Sequence, residues 1–170
     1  MQSRLANLLG AVALAATDRL SEEAAGVVGR GGGHPAALVH LLAHPGGSVE
    51  ELGRVLRISQ PGAVQLANRL EAAGLLERCP GSDARTLALH PTVQGRRAAR
   101  SVLARRERGL GALLDVLDPD EQRQLLPLLE KVTAGLANDR PGALTACRLC
   151  NRDACADRGE CPLQHTMPVD

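Results

Sequence analysis

Apolar residues recur at three- and four-residue spacing along most of this chain, a pattern that predicts a mainly α-helical fold. The first such stretch covers residues 2–28, and the glycine-rich "GRGGGHP" stops it. A short helix is predicted over 35–43. The same spacing returns over 93–117 and again from 119 to about 138, where Pro127 predicts a kink. Both ends of the helical pattern are therefore expected to be long helices.

Two short helices are predicted between the long ones, and each begins at a serine. Ser48 stands three residues before Glu51, which is the capping-box pattern. Ser59 opens the second helix, with Pro61 in its first turn, where a missing N–H costs little. The three residues "RIS" separate the two helices, which gives a helix-turn-helix pattern with residues 60–73 as its recognition helix.

Directly behind this recognition helix the pattern changes to two short β-strands. The segments "LLERCP" and "TLALH" are typical of strands, and "GSDAR" between them is rich in turn formers. The resulting hairpin, residues 75–89, is the wing of a winged helix-turn-helix. The predicted fold class is therefore mainly α with a small β-hairpin, and long N- and C-terminal dimerisation helices flank the winged domain.

The chain divides into four parts on this interpretation. They are a dimerisation helix (1–30), a winged helix-turn-helix domain (34–92), further dimerisation helices (93–138) and a cysteine-rich tail (141–170). The long helices cannot bury all of their apolar faces on so small a central domain. A second copy of the chain is the natural cover, which predicts a homodimer.

Composition adds three expectations. The chain contains no Phe, Tyr or Trp, so Leu, Val and Ala must fill its core. Its formal net charge is only +1, so any binding of nucleic acid must depend on local patches. The apolar run "GAVALAATDRL" is short and interrupted by charge, which indicates neither a membrane span nor a signal peptide. We therefore expect a cytoplasmic, reducing compartment.

Three segments, in their order and spacing, resemble a known family. "SVEELGRVLRISQPGAVQLANRLEAAGLLER" resembles the DNA-reading segment of the MarR-type winged-helix transcriptional regulators, "SDAR" resembles their wing motif, and "TVQG" resembles the start of their long dimerisation helix. The resemblance covers roughly residues 5–138. It implies an obligate dimer that binds pseudo-palindromic double-stranded DNA, usually as a repressor. It also implies that an effector, often a small molecule, a metal or an oxidant, releases the DNA.

Candidate DNA contacts follow from the geometry of a recognition helix, which presents its solvent-facing side chains to the major groove. Gln and Asn side chains can pair with adenine, and Arg with guanine. In the wing, Arg85 is the candidate for the minor groove, and Asp83 is expected to orient it. Arginines that precede the helix are candidate phosphate contacts. The predicted set is Arg54, Arg57, Gln60, Gly62, Ala63, Gln65, Asn68, Arg69, Asp83 and Arg85.

Four of the five cysteines form a C-x2-C-x4-C-x5-C pattern in the tail, at Cys147, Cys150, Cys155 and Cys161. In a reducing compartment such a cluster favours metal or redox chemistry over structural disulfides. Four thiolates make a closed tetrahedral site, so the pattern predicts a structural zinc knuckle. Because the tail follows the last dimerisation helix, we expect the knuckle on the body of the dimer rather than at the DNA. An iron–sulfur cluster and two switchable disulfides remain alternatives, and His165 could replace one ligand.

Three further residues have candidate chemistry with a simpler interpretation. His40 and His44 are four residues apart on a predicted helix, a spacing that can bind metal. No further ligand is near them in the sequence, so we interpret both as ordinary packing or surface residues. Cys79 is interpreted as a small residue of a wing strand.

The leading functional hypothesis is a dimeric DNA-binding transcriptional regulator, expected to repress, with a zinc knuckle in its tail. The first alternative is a redox- or metal-sensing regulator whose tail holds an iron–sulfur cluster or switchable disulfides. The second is an interaction module that does not bind DNA. An enzyme is disfavoured, because a closed zinc site keeps no open position and the sequence offers no His/Glu set to activate water.

Overall fold

The structure is a computed structural model, and it describes residues 1–28, 33–81, 87–156 and 160–166. Within these ranges the fold is mainly α with a two-stranded antiparallel hairpin, as the sequence predicted. The elements in chain order are α1 (Gln2–Val28), α2 (His34–Ala43), α3 (Val49–Leu56), α4 (Gln60–Ala72), β1 (Leu76–Pro80), β2 (Leu87–Pro91), α5 (Val93–Leu114), α6 (Pro119–Ala134), α7 (Arg140–Ala146), α8 (Arg152–Ala156) and a 3-10 turn (Gln164–Thr166).

Side-chain caps begin four of these helices, two of them at the predicted residues Ser48 and Ser59. The side chains of Ser48, Ser59, Thr92 and Asp118 each accept a hydrogen bond from the backbone N–H three residues further on, over 3.1, 3.3, 3.0 and 2.9 Å respectively. Each bond satisfies one of the backbone donors that a helix leaves unpaired at its start. Asp118 also forms a complete capping box. The helix starts are thus determined locally, by residues that the sequence displays.

The winged-helix unit, which we define as residues 33–81 and 87–102, contains the main core. Helices α2, α3 and α4, the hairpin and the first half of α5 enclose it. Strands β1 and β2 pair with Leu76 opposite Pro91, and Gly47 adds an isolated bridge to Leu89. The fully buried side chains are aliphatic, as the composition required. The largest in this unit are Leu38, Leu41, Leu52, Leu70, Leu89, Val39 and Val102.

The junction between the hairpin and α5 is closely packed. Thr92 caps α5 and also donates a hydrogen bond to the Gly74 carbonyl over 2.6 Å. A Cβ atom at Gly95 would lie 1.9 Å from the backbone oxygen of Leu75, so only glycine fits there. Gly74, at the end of α4, has a φ of +69°, which favours glycine for a different reason. The "TVQG" segment therefore fixes α5 against the hairpin.

The flanking helices leave much of their apolar surface open. Helix α1 packs along α5, and no residue of α6, all of which the structure describes, is buried. Helix α5 ends at Leu114 rather than 117, α6 ends at Ala134 rather than 138, and α6 continues through Pro127. Large apolar side chains that are exposed on α1 and α6 are Leu5, Leu8, Leu9, Val12, Leu14, Leu126, Leu128, Leu129 and Val132. No helix in the described part of the chain is both long and apolar enough to cross a membrane.

The tail contains a helix that the sequence analysis did not predict. Helix α7 packs against α3 of the winged-helix unit, and Leu149 after it packs on the main core. Ala137, Ala143 and Leu163 form a second, small core of the tail. The described tail therefore contacts the winged-helix unit through α7 and Leu149. The expectation that the knuckle lies on the body of the dimer rather than at the DNA stays a prediction.

Candidate DNA interface and thiol cluster

Helix α4 presents a polar face to solvent and an apolar face to the core. Leu66, Ala67 and Leu70 are buried against the rest of the winged-helix unit. The opposite side chains, Gln60, Gln65, Asn68 and Arg69, are exposed. Because α4 is capped at Ser59 and packed along one side, these four side chains project from a rigid support.

The prediction that Ala63 touches DNA was wrong. Its side chain is 0% exposed. A Cβ atom at Gly53 would lie only 3.2 Å from the Ala63 methyl group, so α3 and α4 are in close contact here. Gly62 is half-buried, and its N–H donates to the Ser59 hydroxyl. Its role in this structure is to complete the cap of α4.

Arg78 is a residue of this face that the sequence analysis did not assign. It lies on β1, forms an ion pair with Glu71 and donates from Nη2 to the Asn68 side-chain oxygen over 2.7 Å. The contact fixes the Asn68 amide, and the amide's two N–H donors remain for a base edge. Asn68 and Glu71 are three apart on one helix face, which the sequence shows, but their partner across the hairpin requires the fold.

The remaining predicted DNA contacts are two exposed arginines and two residues of the wing. Arg54 and Arg57 are exposed, and Arg57 has a left-handed φ of 54° in the helix-turn-helix turn. Arg54 approaches Glu50 at 3.9 Å, an exposed pair that contributes little to stability. Asp83 and Arg85 lie outside the described residues, so their roles in the wing stay predictions.

The four tail cysteines come together as a thiol cluster (Cys147, Cys150, Cys155 and Cys161). Cys150 lies within hydrogen-bonding reach of Cys147 and Cys155, and Cys155 lies within reach of Cys161. The interaction between Cys147 and Cys150 lowers the pKa of Cys147 and raises that of Cys150, while partial burial raises the pKa of Cys155 to about 11. All four are free thiols. Over the described residues, no three His, Cys, Asp or Glu side chains are already set to hold a metal ion.

A cavity of about 260 Å³, which we name the seam cavity, separates the thiol cluster from α2. The cluster lines one side, and His40 and His44 line the other. Their rings lie 5.0 Å apart between centroids. Burial is the main cause that lowers the pKa of each, and a neighbouring positive charge, His44 for His40 and Arg152 for His44, adds to it. More than one hundred residues separate these histidines from the cysteines, so sequence spacing could not show that they meet.

A second, more open cleft of about 700 Å³ lies between α2, α5 and the segment 150–153 of the tail. Its apolar lining includes Leu42 and Leu103, and its polar lining includes Arg100, Glu107 and Arg152. Its volume falls in the range of small-molecule sites. The tail therefore borders two cavities, one with thiols and one with mixed charge.

Comparison with known proteins agrees with this geometry. Residues 29–85 match the family model described as "MarR family". The resemblance to the MarR family is confirmed over this segment. No curated protein matches the chain.

Solved structures of MarR family proteins share the fold. A MarR family protein from Bacillus stearothermophilus has a TM-score of 0.68 at 23% identity, covering 76% of this chain and 91% of its own. The Mycobacterium tuberculosis MarR family protein Rv2887 in complex with DNA has a TM-score of 0.62 at 25% identity, covering 75% and 96%. Its complex with salicylic acid has a TM-score of 0.60 at 27% identity, covering 75% and 95%. This chain is thus similar to MarR-type winged-helix regulators over about three quarters of its length.

Proposed function

We propose that this protein is a dimeric transcriptional regulator that represses by binding a pseudo-palindromic DNA site. The observation that carries the proposal is the exposed polar face of α4, with Gln65, Asn68 and Arg69 projecting from a capped and packed helix. These side-chain types read adenine and guanine edges in the major groove. The similarity to Rv2887, one structure of which contains DNA, supports the same reading.

The dimeric state is supported by the apolar surface of α1 and α6. Large apolar patches on a monomer mark an interaction site, and a two-fold axis lets one surface cover its own copy. A dimer of this kind would present two copies of α4, one to each half of a pseudo-palindromic site. A dimer bound in this way would occupy one face of the DNA over two half-sites. This occupancy would cause the repression.

The cleft between α2, α5 and the tail is our candidate for an effector site. Rv2887 is known in complex with salicylic acid, a small organic acid. The cleft has apolar walls for a hydrocarbon body and the exposed cations Arg100 and Arg152 for an anionic group. We therefore propose a small organic acid as its ligand class.

We further propose that the tail binds one zinc ion, with the four thiols of the cluster as candidate ligands. Four thiolates around one ion make the closed tetrahedral site that zinc prefers, with Zn–S bonds of about 2.3 Å. An iron–sulfur cluster is the second candidate, favoured by Cys161-Pro162. A closed zinc site is structural, and we propose no enzymatic activity. A reducing, cytoplasmic compartment would keep these thiols free.

Enrichment from a pool of randomised duplexes, followed by fluorescence anisotropy with the enriched site over a salt series, tests the DNA proposal. We expect one symmetric site to be enriched and its affinity to fall steeply with salt. Arg69→Ala, Gln65→Ala and Asn68→Ala should each weaken binding by about 1–3 kcal/mol, with Gln65→Ala and Asn68→Ala also relaxing preference at one base pair per half-site.

The matched control is Arg123→Ala, which removes an exposed arginine of α6 far from α4 in sequence. It should leave the affinity for the enriched duplex unchanged. If no duplex is enriched, or if the α4 variants bind like the wild type, the regulator proposal is wrong and the interaction-module alternative gains support.

A further inference from the structure

The seam cavity is a feature that DNA reading does not require. It lies where the tail meets α2, and the thiol cluster and His40 line it from opposite sides. His40 is only 3% exposed, and its Nε2 atom has no hydrogen-bond partner among the described residues. A buried polar atom without a partner is destabilising, so such an atom beside a cavity indicates that something is missing from it.

The thiol cluster offers Nε2 of His40 no good partner while it holds no metal. Its four cysteines are free thiols, and a neutral thiol sulfur is only a weak acceptor for an imidazole N–H. Metal ligation makes the cysteine sulfur a stronger hydrogen-bond acceptor, because a cysteine must lose its proton to bind the metal. Four thiolates on a divalent ion carry a net charge of two minus, and such sites are stabilised by N–H donors around them.

We propose that zinc bound by the tail turns the cysteine sulfurs into acceptors for the Nε2–H of His40, which closes the seam cavity and fastens the tail to α2. This inference rests on the zinc-binding part of the proposed function and adds a residue outside the tail to it. His40 acts here as a positioning residue and not as a metal ligand. It is required in the tautomer that carries its proton on Nε2.

The consequence is a metal-dependent contact between the tail and the DNA-reading half. Helix α7 already packs on α3, and Arg152 donates to the Ala43 carbonyl at the end of α2 over 3.5 Å. Closing the cavity would add a charge-assisted bond to these weak contacts. The zinc content of the tail would then control how firmly α7 is held on the helix that precedes α4.

The zinc affinity of the full-length protein tests this directly, by competition with a chromophoric chelator. His40→Leu keeps an apolar side chain but removes the donor, and it should weaken zinc binding roughly 10- to 100-fold, as loss of an outer-shell partner does. His40→Gln retains an N–H donor and should recover most of the affinity. His44→Leu is the matched control and should bind zinc like the wild type. Equal zinc affinity in wild type and His40→Leu would overturn the proposal, as would equal weakening in His44→Leu.

Hydrogen exchange of the wild-type protein provides a test that needs no variant. Zinc should slow exchange of the α2 amides as well as those of the tail, and in His40→Leu it should slow only the tail. Zinc that protects the tail but leaves α2 unchanged in the wild type would overturn this inference and leave the zinc site intact. A wild type that takes up no zinc would overturn the zinc site itself, while DNA binding by α4 would be unaffected.

Discussion

The winged-helix unit and the segments that flank it differ in how much of their apolar surface they bury. The unit closes an aliphatic core in which Leu38, Leu52 and Leu89 are fully buried. The flanking segments do not: α6 buries none of its described residues, and the small core of the tail contains two alanines and Leu163. The centre of the chain therefore closes a core of its own, whereas α6 and the described part of the tail bury little apolar surface.

Typical free energies of burial and of chain ordering support this difference between the centre and the flanks. A fully buried leucine contributes about 1.5–3 kcal/mol, while ordering one residue's backbone costs about 1–2 kcal/mol. The few buried apolar residues of the tail, Ala143, Leu144 and Leu163, offset only part of the cost of ordering a tail of this length. A metal ion is the proposed further partner, because four clustered thiols can bind one. For α1 and α6 the proposed partner is the apolar surface of a second copy of the chain.

The largest effect should come from a cavity in the core of the unit. Leu38→Ala should lower the free energy of unfolding by about 2–5 kcal/mol, because it removes buried methyl groups and leaves a hole. Chemical denaturation measures this. Leu163→Ala, the same change in the tail, should leave the main transition unchanged and only increase cleavage of the tail by protease. Equal losses from both variants would mean that tail and unit unfold together.

The next effect should be on dimerisation. Glutamates at Leu8 and Leu129 would place charges on the exposed faces of α1 and α6, and they should weaken dimerisation by about 2 kcal/mol or more, roughly 30-fold. Sedimentation velocity across a concentration series measures the dissociation constant. Leu87→Glu is the control, since Leu87 is also exposed but lies on β2. A wild-type protein that sediments as a monomer at micromolar concentration contradicts the dimer.

The effect of metal should be confined to the tail. At zinc concentrations 100 times the dissociation constant, binding should stabilise the tail by about 2.7 kcal/mol. Chelation or Cys150→Ser should then expose residues after α7 to protease, while Cys79→Ser on β1 should change nothing. Mass spectrometry of limited digests locates the cuts. A tail that resists protease equally with and without zinc would show that it needs no metal to fold.

The smallest effect is a pH dependence in the metal-free protein. Burial lowers the pKa of His40 below 6.5, so the folded state binds fewer protons than the unfolded state. The stability of the fold is therefore complete above pH 6.5 and falls as the pH drops through that value, by at most about 1.4 kcal/mol per pH unit. His40→Leu should flatten this acid limb in urea titrations at several pH values. An unchanged slope in the variant would show that His40 does not titrate in this window.

Local signals explain which parts of the fold the sequence could predict. The caps at Ser48, Ser59 and Thr92 and the turn-rich wing are decided by residues close together in the chain, and the helices and strands begin where these signals predict. Helix α7 was missed, because the helical pattern was taken to stop at about 138, although Asp139 caps a new helix there.

The candidate site was predicted less completely, because its contacts join residues that are far apart in the chain. Ala63 was assigned to the DNA face because helix periodicity does not reveal how closely α3 approaches at Gly53. Arg78 was missed because its contact with Asn68 crosses from strand to helix. The approach of His40 to the thiol cluster depends on how the tail folds back, which no spacing within the tail encodes.

The aliphatic core has a practical consequence for these experiments. Because the chain contains no Phe, Tyr or Trp, the protein is spectroscopically silent in the near ultraviolet and emits no intrinsic fluorescence of its own. A single tryptophan introduced at the exposed position of Leu128 on α6 would therefore report on dimer formation against a dark background, and one in place of Gln164 beside the seam cavity would report on its closure.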